Sequence, residues 1–169
     1  MTLYKKILTA VDLTAALTKE PNKELNEEAG KEGNKARDNN SLIMARSLAI
    51  SGNKPQSIHL IHACEHPVTG YGESTGRNHA VTEIQIRQQV FPKLSQLAER
   101  FHIPQENLHI DFGSPAEVVH QLAHKIQADL IVSGSHGKSG LSLLLGSTAS
   151  SILHDAKCDL LTVRISTTS

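Results

Sequence analysis

Short apolar runs alternate along this chain with stretches whose apolar residues recur at helical spacing. Lys6 to Val11 is an apolar run closed by Asp12, as expected of a buried strand. Ser57-Ile58-His59-Leu60-Ile61-His62-Ala63 alternates and predicts a second strand. Leu108–Phe112, Asp129–Ser133 and Asp159–Ile165 predict three more. Helical spacing begins at Ser41, with Leu42, Ile43, Ala45, Leu48 and Ala49 as the apolar stripe and Gly52-Asn53 as the stop. A longer helix is expected from about Ala80 to Phe101, carrying Val90, Phe91, Leu94, Leu97, Ala98 and Phe101. Pro92 lies inside it and should kink or split it. Ser114-Pro115-Ala116-Glu117 reads as a helix start, with Ser114 as cap, Pro115 in the first turn and Glu117 in capping-box position. Val118, Val119, Leu122, Ala123 and Ile126 form its stripe. A last helix runs from Thr148 to Ala156. Five strands alternating with helices predict an α/β fold with an open parallel sheet and helices on both faces. The 169 residues suit a single domain.

One segment breaks the pattern. Residues from about 14 to 39 are rich in Lys, Glu, Asn and Gly, with Leu17, Leu25 and a few alanines as their apolar content. Such a stretch buries too little to offset its ordering entropy, so a disordered surface insertion is expected. Its charges are balanced, which suits a nucleic-acid arm poorly. A partner-binding helix nucleated by Leu17 and Leu25 is the sharper reading.

Composition narrows the partners. Lys and Arg number 17, Asp and Glu number 17, and no Trp is present, so neither a basic surface nor an aromatic stacking platform points to nucleic acid. No stretch is long and apolar enough to span a membrane, and Lys5 and Lys6 interrupt the start of any secretory segment. Two cysteines, Cys64 and Cys158, make no disulfide framework and fit reduced thiols in the cytoplasm.

The candidate chemistry gathers after the fourth strand. Ser133-Gly134-Ser135-His136-Gly137 leads through Lys138–Leu145 to Gly146-Ser147-Thr148 and a helix start. A strand, a glycine-rich turn and a helix N-terminus together hold phosphate, because free backbone N–H groups point at the anion. Gly137-Lys138-Ser139 ends like a P-loop, but Val132 stands where the first glycine of that motif belongs. Asp12, at the carboxyl end of the first strand, either lines a ligand or caps the following turn.

With Ala10-Val11-Asp12, Gly113-Ser114-Pro115 and this Gly-x-x-Gly…Gly-Ser spacing, the chain resembles the universal stress proteins. The resemblance implies a Rossmann-like fold of the adenine nucleotide alpha hydrolase-like type, strand order 3-2-1-4-5, with the ligand at the switch point between strands one and four. It also implies that the first helix directly follows strand one, so the segment at 14–39 is an insertion. The nucleotide-binding residues it implies include Val11 and Ser133, with Asp12 and Ala63 framing base and ribose. Gly134, Gly137, Gly146, Ser147 and Thr148 hold the phosphates, and His136, inside the loop, acts through its backbone. The ligand would be ATP, with magnesium, or a related adenine nucleotide. Lys138–Leu145 is one residue shorter than is usual in nucleotide-binding members. Another branch of the family binds no ATP, so a homodimeric protein-interaction module is the alternative. Under either reading the resemblance implies a homodimer through the C-terminal strand.

The spacing places no general base, so at most slow ATP hydrolysis is expected and no catalytic residue is assigned. His120 and His124 lie four apart on one helix, but nothing completes a metal ligand set.

Overall fold

The computed structural model describes residues 3–14, 27–66, 76–136 and 147–165, without the side chains of 27–38, 76–81, 136 and 147–149. Its strands are β1 (Ile7–Ala10), β2 (Ile58–Cys64), β3 (Leu108–Phe112), β4 (Leu130–His136) and β5 (Asp159–Ile165). Its helices are α1 (Glu27–Ile50), α2 (Gly76–Arg100), α3 (Pro115–Ile126) and α4 (Ser147–Asp155). The sheet is wholly parallel in the order β3-β2-β1-β4-β5, as the sequence and its family resemblance led us to expect. β1 therefore lies between β2 and β4, where the order reverses direction.

Alternate residues of the central strands enter two cores. Ile7, Ile58, Leu60, Leu130 and Val132 pack under Ile43 and Met44 of α1 and Val90 and Leu94 of α2. Leu8, Ile61 and Ile131 pack under Val118, Val119 and Leu122 of α3 and Ile152 of α4. Helices thus cover both faces. Leu8 and Ile131 are fully buried, and each such side chain contributes about 1.5–3 kcal/mol.

The start of α3 is built as its sequence directs. The Ser114 hydroxyl accepts from the Glu117 N–H, and Pro115 opens the first turn. Gln127 ends the helix in the left-handed region, returning its N–H to Ala123 and His124 carbonyls.

Several boundaries and faces differ from expectation. α1 begins at Glu27, not Ser41. Glu, Lys, Ala and Arg between 27 and 37 are good helix formers, but without apolar spacing they carry no periodic signal. Half of the expected insertion is therefore helix, and residues 15–26 lie outside the described residues. The buried face of α1 is also rotated. Asn40, Ile43, Met44, Ser47 and Ser51 are buried, while Leu42, Ala45 and Ala49 are exposed. Polar residues occupy this face because they bond inward: the Thr9 hydroxyl donates to Ser47 Oγ at 2.8 Å, and Ser47 Oγ donates to the Ile43 carbonyl at 3.1 Å.

α2 runs unbroken through Pro92. Pro92 and Gln88, whose carbonyl loses its helical partner, both lie on the solvent side, where water can take the bond. Phe91 is exposed rather than part of the stripe. β4 continues to His136, three residues beyond its expected end, so Gly134 and His136 belong to a strand and not to a turn.

Candidate functional site

The register of the sheet opens a crevice at its carboxyl edge. β1 and β4 pair through Ile7–Leu130, Leu8–Ile131 and Thr9–Val132, and no further. β1 stays with β2, through Ala10–Ile61 and a 3.0 Å bond from the Val11 N–H to the Ile61 carbonyl. β4 stays with β5, through Gly134–Val163 to His136–Ile165. Past Thr9 and Val132 the sheet therefore divides. Val11-Asp12-Leu13 follows one side and Ser133–His136 the other. An open parallel sheet binds its ligands at such a point.

Asp12 is exposed at this edge, and its Oδ1 accepts from the Thr14 N–H at 2.8 Å. One carboxylate oxygen thus caps the turn that leaves β1. The peptide of Asp12 is gripped by Asn40 of α1. Its N–H donates to Asn40 Oδ1 at 3.1 Å, and its carbonyl accepts from Asn40 Nδ2 at 2.6 Å. From β2, His62 Nδ1 lies 3.1 Å from the Val11 carbonyl and 3.3 Å from the Leu13 N–H. Asn40 was not among the residues singled out from the sequence, and His62 was placed only in the second strand. The available signal was the period-two placement of His62 on the same strand face as Leu60 and Cys64, toward α1.

Val11 is buried beside Leu13. Ala63 packs on the other face of the sheet, with the core under α3. Ser133 and Ser135 are buried in β4, and Ser133 Oγ lies 3.3 Å from the Gly134 carbonyl. Gly134 is held by space. A Cβ there would lie 2.9 Å from Cδ1 of Ile43 and 2.9 Å from Cδ1 of Ile165. Its side chain position is therefore taken up by the core under α1. His136 closes β4, and Ser147 and Thr148 open α4. Gly137 and Gly146, with the segment between them, lie outside the described residues.

Neither thiol is set up as a nucleophile. Burial pushes the Cys64 thiol above its usual range, with Arg87 opposing the rise. Burial and the carboxylates of Asp159 and Asp129 push Cys158 the same way. Among the described residues no group of three His, Cys, Asp or Glu side chains is close enough to hold a metal ion.

The family model described as the universal stress protein family matches residues 3–164. The chain belongs to the universal stress protein family. Universal stress protein A homolog 2 of Coxiella burnetii is 33% identical over 124 residues, covering 73% of this chain and 84% of that protein. Homolog 1 of the same organism is 34% identical over 122 residues, covering 72% and 85%. In fold, this universal stress protein is similar to a functionally unknown protein from Pseudomonas aeruginosa PAO1, with a TM-score of 0.60 at 23% identity. That match covers 95% of this chain and 47% of the other, so the chain spans about half the length of its structural neighbour. Among the described residues no helix is long and apolar enough to cross a membrane.

Proposed function

We propose that this universal stress protein is a cytoplasmic stress-response module that binds ATP or a related adenine nucleotide at the crevice between β1 and β4. The observation that carries this reading is the early end of the β1–β4 pairing at Thr9 and Val132 while both outer pairings continue. It leaves Asp12 and Ala63 on one side of the crevice and the Ser133–His136 strand, leading to the glycine segment, on the other. Base and ribose would lie against Val11, Asp12 and Ala63. Phosphates would lie toward Gly134, His136, Gly137, Gly146, Ser147 and Thr148, at the start of α4, where backbone N–H groups favour anions. Magnesium would accompany the phosphates. The free thiols of Cys64 and Cys158 suit a reducing compartment. A homodimer through β5 belongs to the same reading, since β5 is an edge strand with Leu160 and Leu161 only half buried. Sedimentation as a monomer at micromolar concentration would refute the dimer.

The test is calorimetric titration of ligand-stripped protein with magnesium-ATP. Saturable binding that weakens in Gly146→Glu is the expected result. Absence of binding at millimolar ATP would move the protein to the second reading, a homodimeric interaction module that binds no nucleotide. The bond from the Thr14 N–H to Asp12 Oδ1 favours that alternative, because it already gives Asp12 a structural task.

A further inference from the structure

Val11, Asp12 and Leu13 lie just beyond β1, where the ladder no longer supplies partners to every backbone group. Two side chains from different elements take up those groups. Asn40 of α1 and His62 of β2 are 5% and 3% exposed, so each has given up its water. Polar groups buried this deeply are costly unless bonded. Both direct these bonds at the same three residues: Asn40 at the N–H and carbonyl of Asp12, His62 at the carbonyl of Val11 and the N–H of Leu13.

The placement of the His62 ring is informative. One nitrogen, Nδ1, faces a donor and an acceptor. With the proton on Nε2 it accepts from the Leu13 N–H, and with the proton on Nδ1 it donates to the Val11 carbonyl. Either neutral tautomer therefore holds the turn. Together with the reciprocal Asn40–Asp12 pair, this fixes the peptide planes on both sides of the Asp12 Cα. It leaves the Asp12 carboxylate, one oxygen of which accepts from the Thr14 N–H, at the exposed surface of a turn held from within.

We propose that Asn40 and His62 are positioning residues, fixing the Val11–Leu13 turn so that Asp12 is presented to the ligand crevice in one orientation. Neither would touch the ligand. The consequence for affinity rests on the nucleotide reading above, whereas the fixing of the turn does not.

The test combines magnesium-ATP titration with amide hydrogen exchange at Asp12 and Leu13, on the parent protein and on Asn40→Ala, His62→Leu and His62→Asn. Asparagine at 62 carries its amide on the same Cγ that bears Nδ1, so it can restore one of the two bonds. Asn40→Ala should speed exchange of the Asp12 amide, and His62→Leu that of the Leu13 amide, by about tenfold or more. Both should weaken ATP binding by about tenfold, the effect of losing one or two buried bonds. His62→Asn should stay within about threefold of the parent in both measurements. Unchanged exchange in Asn40→Ala and His62→Leu would overturn the proposal. So would faster exchange with unchanged affinity. If the parent binds no ATP, the nucleotide reading falls and exchange alone decides whether the pair fixes the turn. If a variant does not fold, the parent still decides: Asp12 and Leu13 amides exchanging as fast as those of an unstructured peptide would refute the assignment.

Discussion

Gly134 provides the sharpest test of how the ligand edge is built. Its substitution by alanine would place a Cβ 2.9 Å from the terminal methyls of Ile43 and Ile165. Ordinary contact begins near 3.4 Å, so each methyl must give by 0.5 Å. Ile43 is 3% exposed and Ile165 8%, so neither can swing into solvent. Driving two isoleucines off their rotamers costs about 0.5–1.5 kcal/mol each. Removing glycine from a strand returns about 0.5–1 kcal/mol. The net expectation is a loss of about 0–2.5 kcal/mol, or about 2–4 °C in Tm for each kcal/mol at this chain length. Because the chain lacks Trp, far-UV circular dichroism in urea is the suitable probe, at fixed protein concentration so that association does not intrude. The decisive control is Ile165→Val, which deletes one of the two crowding methyls. Alone it should cost about 0.5–1.5 kcal/mol. Beside Gly134→Ala it should cost about 0.5–1.5 kcal/mol less, since the strain at that methyl is relieved. A Gly134→Ala protein as stable as the parent, with Ile165→Val costing the same in both backgrounds, would refute the packing role. If Gly134 served the ligand alone, ATP affinity would fall with no loss of stability.

Two further predictions concern the β3 side of the sheet. His59 and His109 stack with ring centroids 5.5 Å apart and Nδ1 of one 3.2 Å from Nε2 of the other. Burial holds both below the ordinary 6.5, helped at His59 by His109 and Lys6 and at His109 by Lys125. The unfolded chain then binds more protons than the folded one, so stability should rise with pH up to about 6.5 and fall on acidification below it. Thermal melts between pH 5 and 7 should show this slope flattened in His109→Gln, and an unchanged slope would count against the pair. The second concerns the open edge of β3. The Gly113 N–H bonds the Cys64 carbonyl, so by alternation the backbone groups of Ile110 face outward. Arg87 donates to the Ile110 carbonyl, lies 5.0 Å over the Phe112 ring and is 3.9 Å from Asp111. This charge covers an edge strand that could otherwise pair with another chain. Arg87→Ala should therefore increase concentration-dependent light scattering while changing stability by about 1 kcal/mol or less, and scattering equal to the parent's would remove that role.

The sheet was legible because it is written in apolar side chains. Leu130–Val132 is buried on both faces, Ile58–Cys64 is buried except at the half-buried His59 and Ala63, and α3 carries its cap, its first-turn proline and its full stripe in order. The strand order came from the family resemblance, not from periodicity. What the sequence concealed was polar or shape-dependent. Asn40 and Ser47 make up much of the buried face of α1, and a hydrophobic pattern looks past them to Leu42, Ala45 and Ala49. Phe91 fits the α2 stripe by spacing, yet it lies beside Pro92 in a shallow surface groove with Arg87, Leu108 and Ile110. Gly134 belongs to a phosphate motif by spacing, yet two isoleucines occupy the room its side chain would need.

Asn40, Ser47 and His62 share a location. Thr9 and Ser47 join β1 to α1 at the last residue of β1 that still pairs with β4. Asn40 lies nearly two turns earlier on α1 and holds Asp12, three residues further along the chain. His62 holds the same turn from the neighbouring strand. Asn40 of α1 and His62 of β2 thus follow β1 out of the sheet, taking over its backbone bonds as the ladder to β4 ends. An apolar α1 face would pack against β1 equally well up to Thr9, but it would leave the N–H and carbonyl of Asp12 without their Asn40 partner at the point where the crevice opens. The helix face that reads as imperfect in the sequence is therefore the one this edge requires.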